Sequence, residues 1–143
     1  MSLLDFLFKS DKKLTQVETV VLDSVATNMS MADSNLLRSQ ITNISKIQRL
    51  DNGREVDFYY GKLDATTNRF EMKSDVARLA KVTLKSRDSG HQVTASVQLV
   101  KGKLFSINFN GPPNDLRGEN LSIDVKLYPL NAEQERTDQD EGC

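Results

Sequence analysis

The sequence predicts an α+β domain with N-terminal helices packed on one face of a mainly antiparallel, meander-like sheet of five to seven strands. Apolar residues first recur at spacings of three and four, as on one side of a helix, then from about residue 44 alternate with polar residues, as in half-buried strands. Short turn signals (Asn52-Gly53, Ser89-Gly90 and Gly102) separate successive alternating runs, which favours antiparallel neighbours. The domain spans residues 1–130, and residues 131–143 form an acidic tail with no aliphatic side chain larger than alanine, expected to be disordered.

In chain order, Leu14, Val17, Val21 and Val25 share one helical face, with Ser10 or Asp11 as the expected cap. The segment from Leu3 to Phe8 is apolar almost all round and should be buried or docked. A second helix is expected from Asp33, with Leu37, Ile41 and Ile44 at helical spacing. Ile44 and Ile47 also suit a strand, so the helix-to-strand boundary stays open between residues 40 and 46.

Strands over 44–50 and 54–60 joined at Asn52-Gly53 set Ile47 opposite Phe58 and Arg49 opposite Val56. A short strand is expected at residues 69–72. A two-residue turn at Ser89-Gly90 pairs Val82 with Val97, Leu84 with Ala95 and Lys85 with Thr94, apolar on apolar and polar on polar. Phe105, Ile107 and Phe109 alternate with Ser106, Asn108 and Asn110, and pairing Val97 with Ile107 extends the same apolar face. Leu121, Ile123, Val125 and Leu127 form the last strand, which Pro129 ends.

Composition excludes several function classes. The one cysteine, Cys143, rules out an internal disulfide framework, and one histidine with one cysteine cannot supply a typical zinc site. No run approaches the ~20 apolar residues of a membrane helix, and the apolar start precedes its lysines, the wrong order for a signal peptide. A cytoplasmic location is the expectation. The chain has neither a Walker-type nor a Gly-x-Gly-x-x-Gly phosphate loop, and no Gly-x-Ser-x-Gly elbow.

His91 lies between Asp88 and Gln92 at the expected turn, where nothing would orient it or tune its pKa as a general base requires. Glu55 and Asp57 share a strand face and could act as paired carboxylates, but solvated edge charges near Lys46 are the simpler expectation. No catalytic, cofactor or metal-binding residue is assigned. Nucleic-acid binding is disfavoured because few aromatics accompany the basic residues and the net charge is −1.

The outward sheet face is polar. Tyr59, Lys81, Lys85, Arg87 and Tyr128 are its candidate partner-binding residues, since Tyr and Arg are favoured at interface hot spots. The expected function is a small non-enzymatic module, inhibitor-, immunity- or accessory-subunit-like, that binds another protein. The alternative is a cone of the cystatin-like or NTF2-like kind that holds a small molecule, with catalysis as one use of such a cavity. Unblocked strand edges and the apolar N-terminal segment leave room for a homodimer.

Overall fold

Two helices lie against a six-stranded, fully antiparallel open sheet in the computed structural model, which describes residues 13–116 and 118–131. The expected roles of Leu3–Phe8 and of residues 132–143 therefore fall outside the described residues, as do Ser10 and Asp11.

Helix α1 (Gln16–Thr27) starts later than its apolar spacing alone suggested, because Thr15 and Glu18 form a reciprocal cap. Glu18 N donates to Thr15 Oγ1 at 3.1 Å, and Thr15 N donates to Glu18 Oε1 at 2.9 Å. Helix α2 (Met31–Thr42) begins two residues before the expected Asp33, since Ser30 Oγ accepts from Asp33 N. It ends at Thr42, which leaves Ile44 buried in the link rather than in either element.

The strands are β1 (Lys46–Leu50), β2 (Glu55–Tyr59), β3 (Val76–Ser86), β4 (Gln92–Val100), β5 (Lys103–Phe109) and β6 (Leu121–Leu127), in the order β1-β2-β5-β4-β3-β6. The β1–β2 hairpin has the register expected from Asn52-Gly53, with Ile47 opposite Phe58 and Arg49 opposite Val56. The β4–β5 pair likewise sets Val97 opposite Ile107 and Ala95 opposite Phe109.

Three expectations are corrected. The β3–β4 register is two residues off the expected one, with Val82 opposite Ala95, Leu84 opposite Val93 and Lys85 opposite Gln92. Its connection is longer than a two-residue turn because Ser86 Oγ accepts from both Asp88 N and Ser89 N, and Ser86 N bonds His91 O at 2.8 Å. A slip of two leaves every side chain on its face, so alternation alone could not exclude it. Residues 69–72 form no strand, although Phe70 N bonds Gly102 O at 2.8 Å. Finally, the register of β5 against β4 shifts between Gln98 and Leu99, so the extra residue Phe105 leaves the Ile107 face and packs edge-on against Tyr59.

The core is one cluster between the helices and the inner sheet face. Val17, Val21, Leu22 and Val25 of α1 and Leu37 of α2 join Val56, Phe58, Val82, Leu84, Val97 and Ile107. Burying each such side chain contributes about 1.5–3 kcal/mol. Two polar groups fasten helices to the sheet within this core. Gln40, fully buried, donates to Asn68 O and Gly102 O and accepts from Leu104 N. Glu18, 2% exposed, takes a two-pronged contact from Arg49 of β1 at 2.8 and 2.7 Å.

Candidate interaction surface

The sheet face opposite the helices is mainly polar, with Leu50, Val76 and Phe105 as its apolar members, because most non-core strand residues lie there. The pairing registers align these residues in rows across the strands. One row runs Gln48, Asp57, Ser106, Gln98, Arg78, from β1 through β2, β5 and β4 to β3. The next runs Glu55, Asn108, Ser96, Lys81, Lys126, from β2 to β6. A third sets Asn110 beside Thr94, whose amide it accepts at 2.8 Å, then Thr83 and Asp124.

Charge is sorted along these rows except at the outer edge, where Lys46 of β1 lies two residues from Gln48 on the same face. Strand β2 contributes two carboxylates, Glu55 and Asp57. Strands β5 and β4 contribute neutral Ser, Thr, Asn and Gln. Strand β3 contributes Arg78, Lys81 and Lys85, and β6 adds Lys126 beside Asp124. The acidic and basic strands are three strand spacings apart, ~14 Å.

The acidic end has unusual chemistry. Asp57 is 6% exposed although no helix covers it, and its Oδ1 has no hydrogen-bonding partner among the described residues. Burial first, then the hydrogen bond and charge of Glu55, push its pKa up to about 6. The expectation of solvated edge charges is corrected here: β2 is an interior strand between β1 and β5, so Asp57 is flanked on both sides. Ser106 beside it is also buried and accepts from Asn108 Nδ2 at 3.2 Å.

The five sequence-selected residues fall into two groups. Tyr59 lies at the β2 end, 39% exposed, with its hydroxyl donating to Gln48 Oε1 at 3.1 Å and its ring against Phe105. Lys81 and Lys85 lie along β3. Arg87 follows the strand end, exposed, with its amide bonded to Asn120 O. Tyr128 is held rather than free: its hydroxyl accepts from Arg78 NH1 at 2.9 Å, and the Arg78 guanidinium and the Lys126 ammonium each stand 5.0 Å from its ring centroid.

Arg78 is the site residue that sequence reading missed, and Asp57 is one that it set aside as a solvated edge charge. Alternation assigns both to the outer face, but their burial depends on cross-strand neighbours and on the β3 bulge between Arg78 and Ala80. His91 stands exposed in the turn, 3.6 Å from the Asp115 carboxylate rather than paired with Asp88. Among the described residues no group of three His, Cys, Asp or Glu side chains could hold a metal ion, and no helix is long and apolar enough to cross a membrane. No protein-family model matches the chain, and no curated protein or solved structure matches it either.

Proposed function

We propose that the protein is a small non-enzymatic interaction module, of the inhibitor, immunity or accessory-subunit kind, that binds a partner protein through the polar face of its sheet. The observation that carries this reading is the sorting of charge on a face the helices leave uncovered, from Glu55 and Asp57 on β2 to Lys81 and Lys85 on β3. A merely solvated face has no need of such order, whereas charge complementarity fixes a partner's orientation and speeds its approach.

The area is adequate. Strands of 5, 5, 11, 9, 7 and 7 residues, at ~3.3 Å rise and ~4.8 Å spacing, give a face on the order of 700 Å², close to the ~800 Å² that one side of a standard interface buries. The partner would set an acidic surface on Lys81, Lys85 and Arg87, and a hydrogen-bonding or basic group near Tyr59 and Asp57. Tyr128, already ordered by Arg78 and Lys126, would meet it with little loss of side-chain freedom.

Capture from an extract of the source organism tests this, with tagged wild type beside the Lys81→Glu, Arg87→Glu variant. The expected result is one stoichiometric partner retained by wild type and lost by the variant. Equal retention would remove the outer face as the contact. The small-molecule reading draws its support from an open cleft of about 630 Å³ at one end of the sheet, a ligand-sized volume. Against it stands the space between helices and sheet, which the apolar core cluster fills.

A further inference from the structure

Strand β6 closes the sheet beside β3, and among the described residues nothing pairs with its outer edge. Its ladder with β3 uses every second residue. Tyr128 N donates to Leu79 O at 3.0 Å, and Arg87 N donates to Asn120 O at 2.8 Å. By that alternation Ser122, Asp124 and Lys126 also turn their amides and carbonyls toward β3. Ile123, Val125 and Leu127 turn theirs to the open edge.

The two edges of the sheet differ. On β1 the inward-pointing Arg49, paired with Glu18, is a charge of the kind that blocks further strand pairing. Strand β6 has no inward charge, no proline between Leu121 and Leu127, and no shift in its register against β3. Its inner-face residues Ile123 and Leu127 stay half-exposed. On its outer face Asp124 lies opposite Thr83, and the Lys126 ammonium stands 5.0 Å from the Tyr128 ring centroid. Neither Asp124 nor Lys126 has an ion-pair partner among the described residues.

We infer that the β6 edge is the contact between two copies of this chain, paired antiparallel about a two-fold axis at Val125 to make one continuous sheet. With the axis there, Asp124 faces Lys126 of the second copy, and symmetry repeats the pair. Ile123 faces Leu127 in the same way, apolar on apolar. The open amides and carbonyls of Ile123, Val125 and Leu127 then meet one another. The Asp124–Lys126 pairs fall at non-hydrogen-bonded positions, where side chains approach most closely.

Charge and backbone chemistry select this register over its neighbours. An axis at Asp124 sets that carboxylate opposite itself, and an axis at Lys126 does the same for the ammonium, both unfavourable. An axis at Ile123 sets Leu127 against Glu119, and one at Leu127 sets Val125 against Pro129, which has no N–H to give. The contact uses the sheet edge and leaves Lys81 and Lys85 uncovered, so it does not rest on the outer-face reading.

Sedimentation of the full chain over a concentration series is the test. Wild type should show a monomer–dimer equilibrium with a dissociation constant below ~1 mM, the scale of a small interface. Asp124→Lys and Lys126→Asp each bring like charges together, and each alone should weaken the dimer at least tenfold. An equimolar mixture of the two variants should dimerise as wild type does, because their charges are then complementary. Amide exchange locates the contact: Ile123, Val125 and Leu127 should gain protection as concentration rises, and Ser122, Asp124 and Lys126 should change less. A wild type that stays monomeric, a dimer that both variants keep, a mixture that fails to recover, or protection gained elsewhere would overturn the inference.

Discussion

Asp57 shows how one residue can hold a site and burden the fold at once. Its pKa is raised to about 6 from an ordinary 3.8, so the folded state holds a proton that the unfolded chain releases at lower pH. Stability from this group is full below pH ~4 and is lost as pH rises toward 6. Replacing Asp57 with Asn should therefore stabilise the protein at pH 7 by about 2 kcal/mol and flatten the decline between pH 4 and 6. Urea unfolding at pH 4, 5, 6 and 7 reads both effects, and an unchanged profile would mean that folding does not raise the pKa of Asp57. Glu18 is the opposite case, a buried carboxylate that is fully paired. The Arg49→Ala variant leaves that charge with only the Thr15 amide, and should cost about 3 kcal/mol in the same assay.

At the scale of elements, the hairpins were legible where a turn residue pins the register. Asn52, at φ 56°, and Gly53, at φ 86°, occupy the left-handed region that Asn and Gly tolerate, and the β1–β2 pairing follows from them. The 86–91 connection was not legible in length, because Ser86 closes it with its side chain and a two-residue slip preserves both faces. The bulges at Leu79 and Phe105 have no sequence mark either, since each adds one residue inside an otherwise regular run. Gly102 ties two such elements together. At φ +82° a Cβ there would come 2.4 Å from Phe70 O. Gly102→Ala should thus destabilise by about 1–3 kcal/mol through both strain and overlap, seen as a lowered unfolding midpoint with an unchanged denaturant slope.

For the whole molecule, the change from helical to alternating period predicted the two-layer α+β architecture, because one face of each element must be buried against another. The outer face was legible as polar but not as charge-sorted. Sorting depends on strand order, and β5 pairs with β2 across the intervening β3 and β4. Without that crossover Glu55 and Asp57 would lie on a strand edge and the acidic end would be solvated. The edge strand β6 shows a similar limit. Its alternation placed Ile123 and Leu127 inward, yet they remain 44% and 39% exposed on a strand that pairs on one side only.

The most direct test of the account is a calorimetric titration of the captured partner with three proteins: wild type, Lys81→Glu with Arg87→Glu, and Arg38→Glu. Arg38 lies on the helix side, half-exposed and paired with Asp23. The account predicts at least tenfold weaker binding for the outer-face variant and wild-type affinity for Arg38→Glu. Equal affinity for all three, or loss with Arg38→Glu alone, would contradict it and move the contact to the helices.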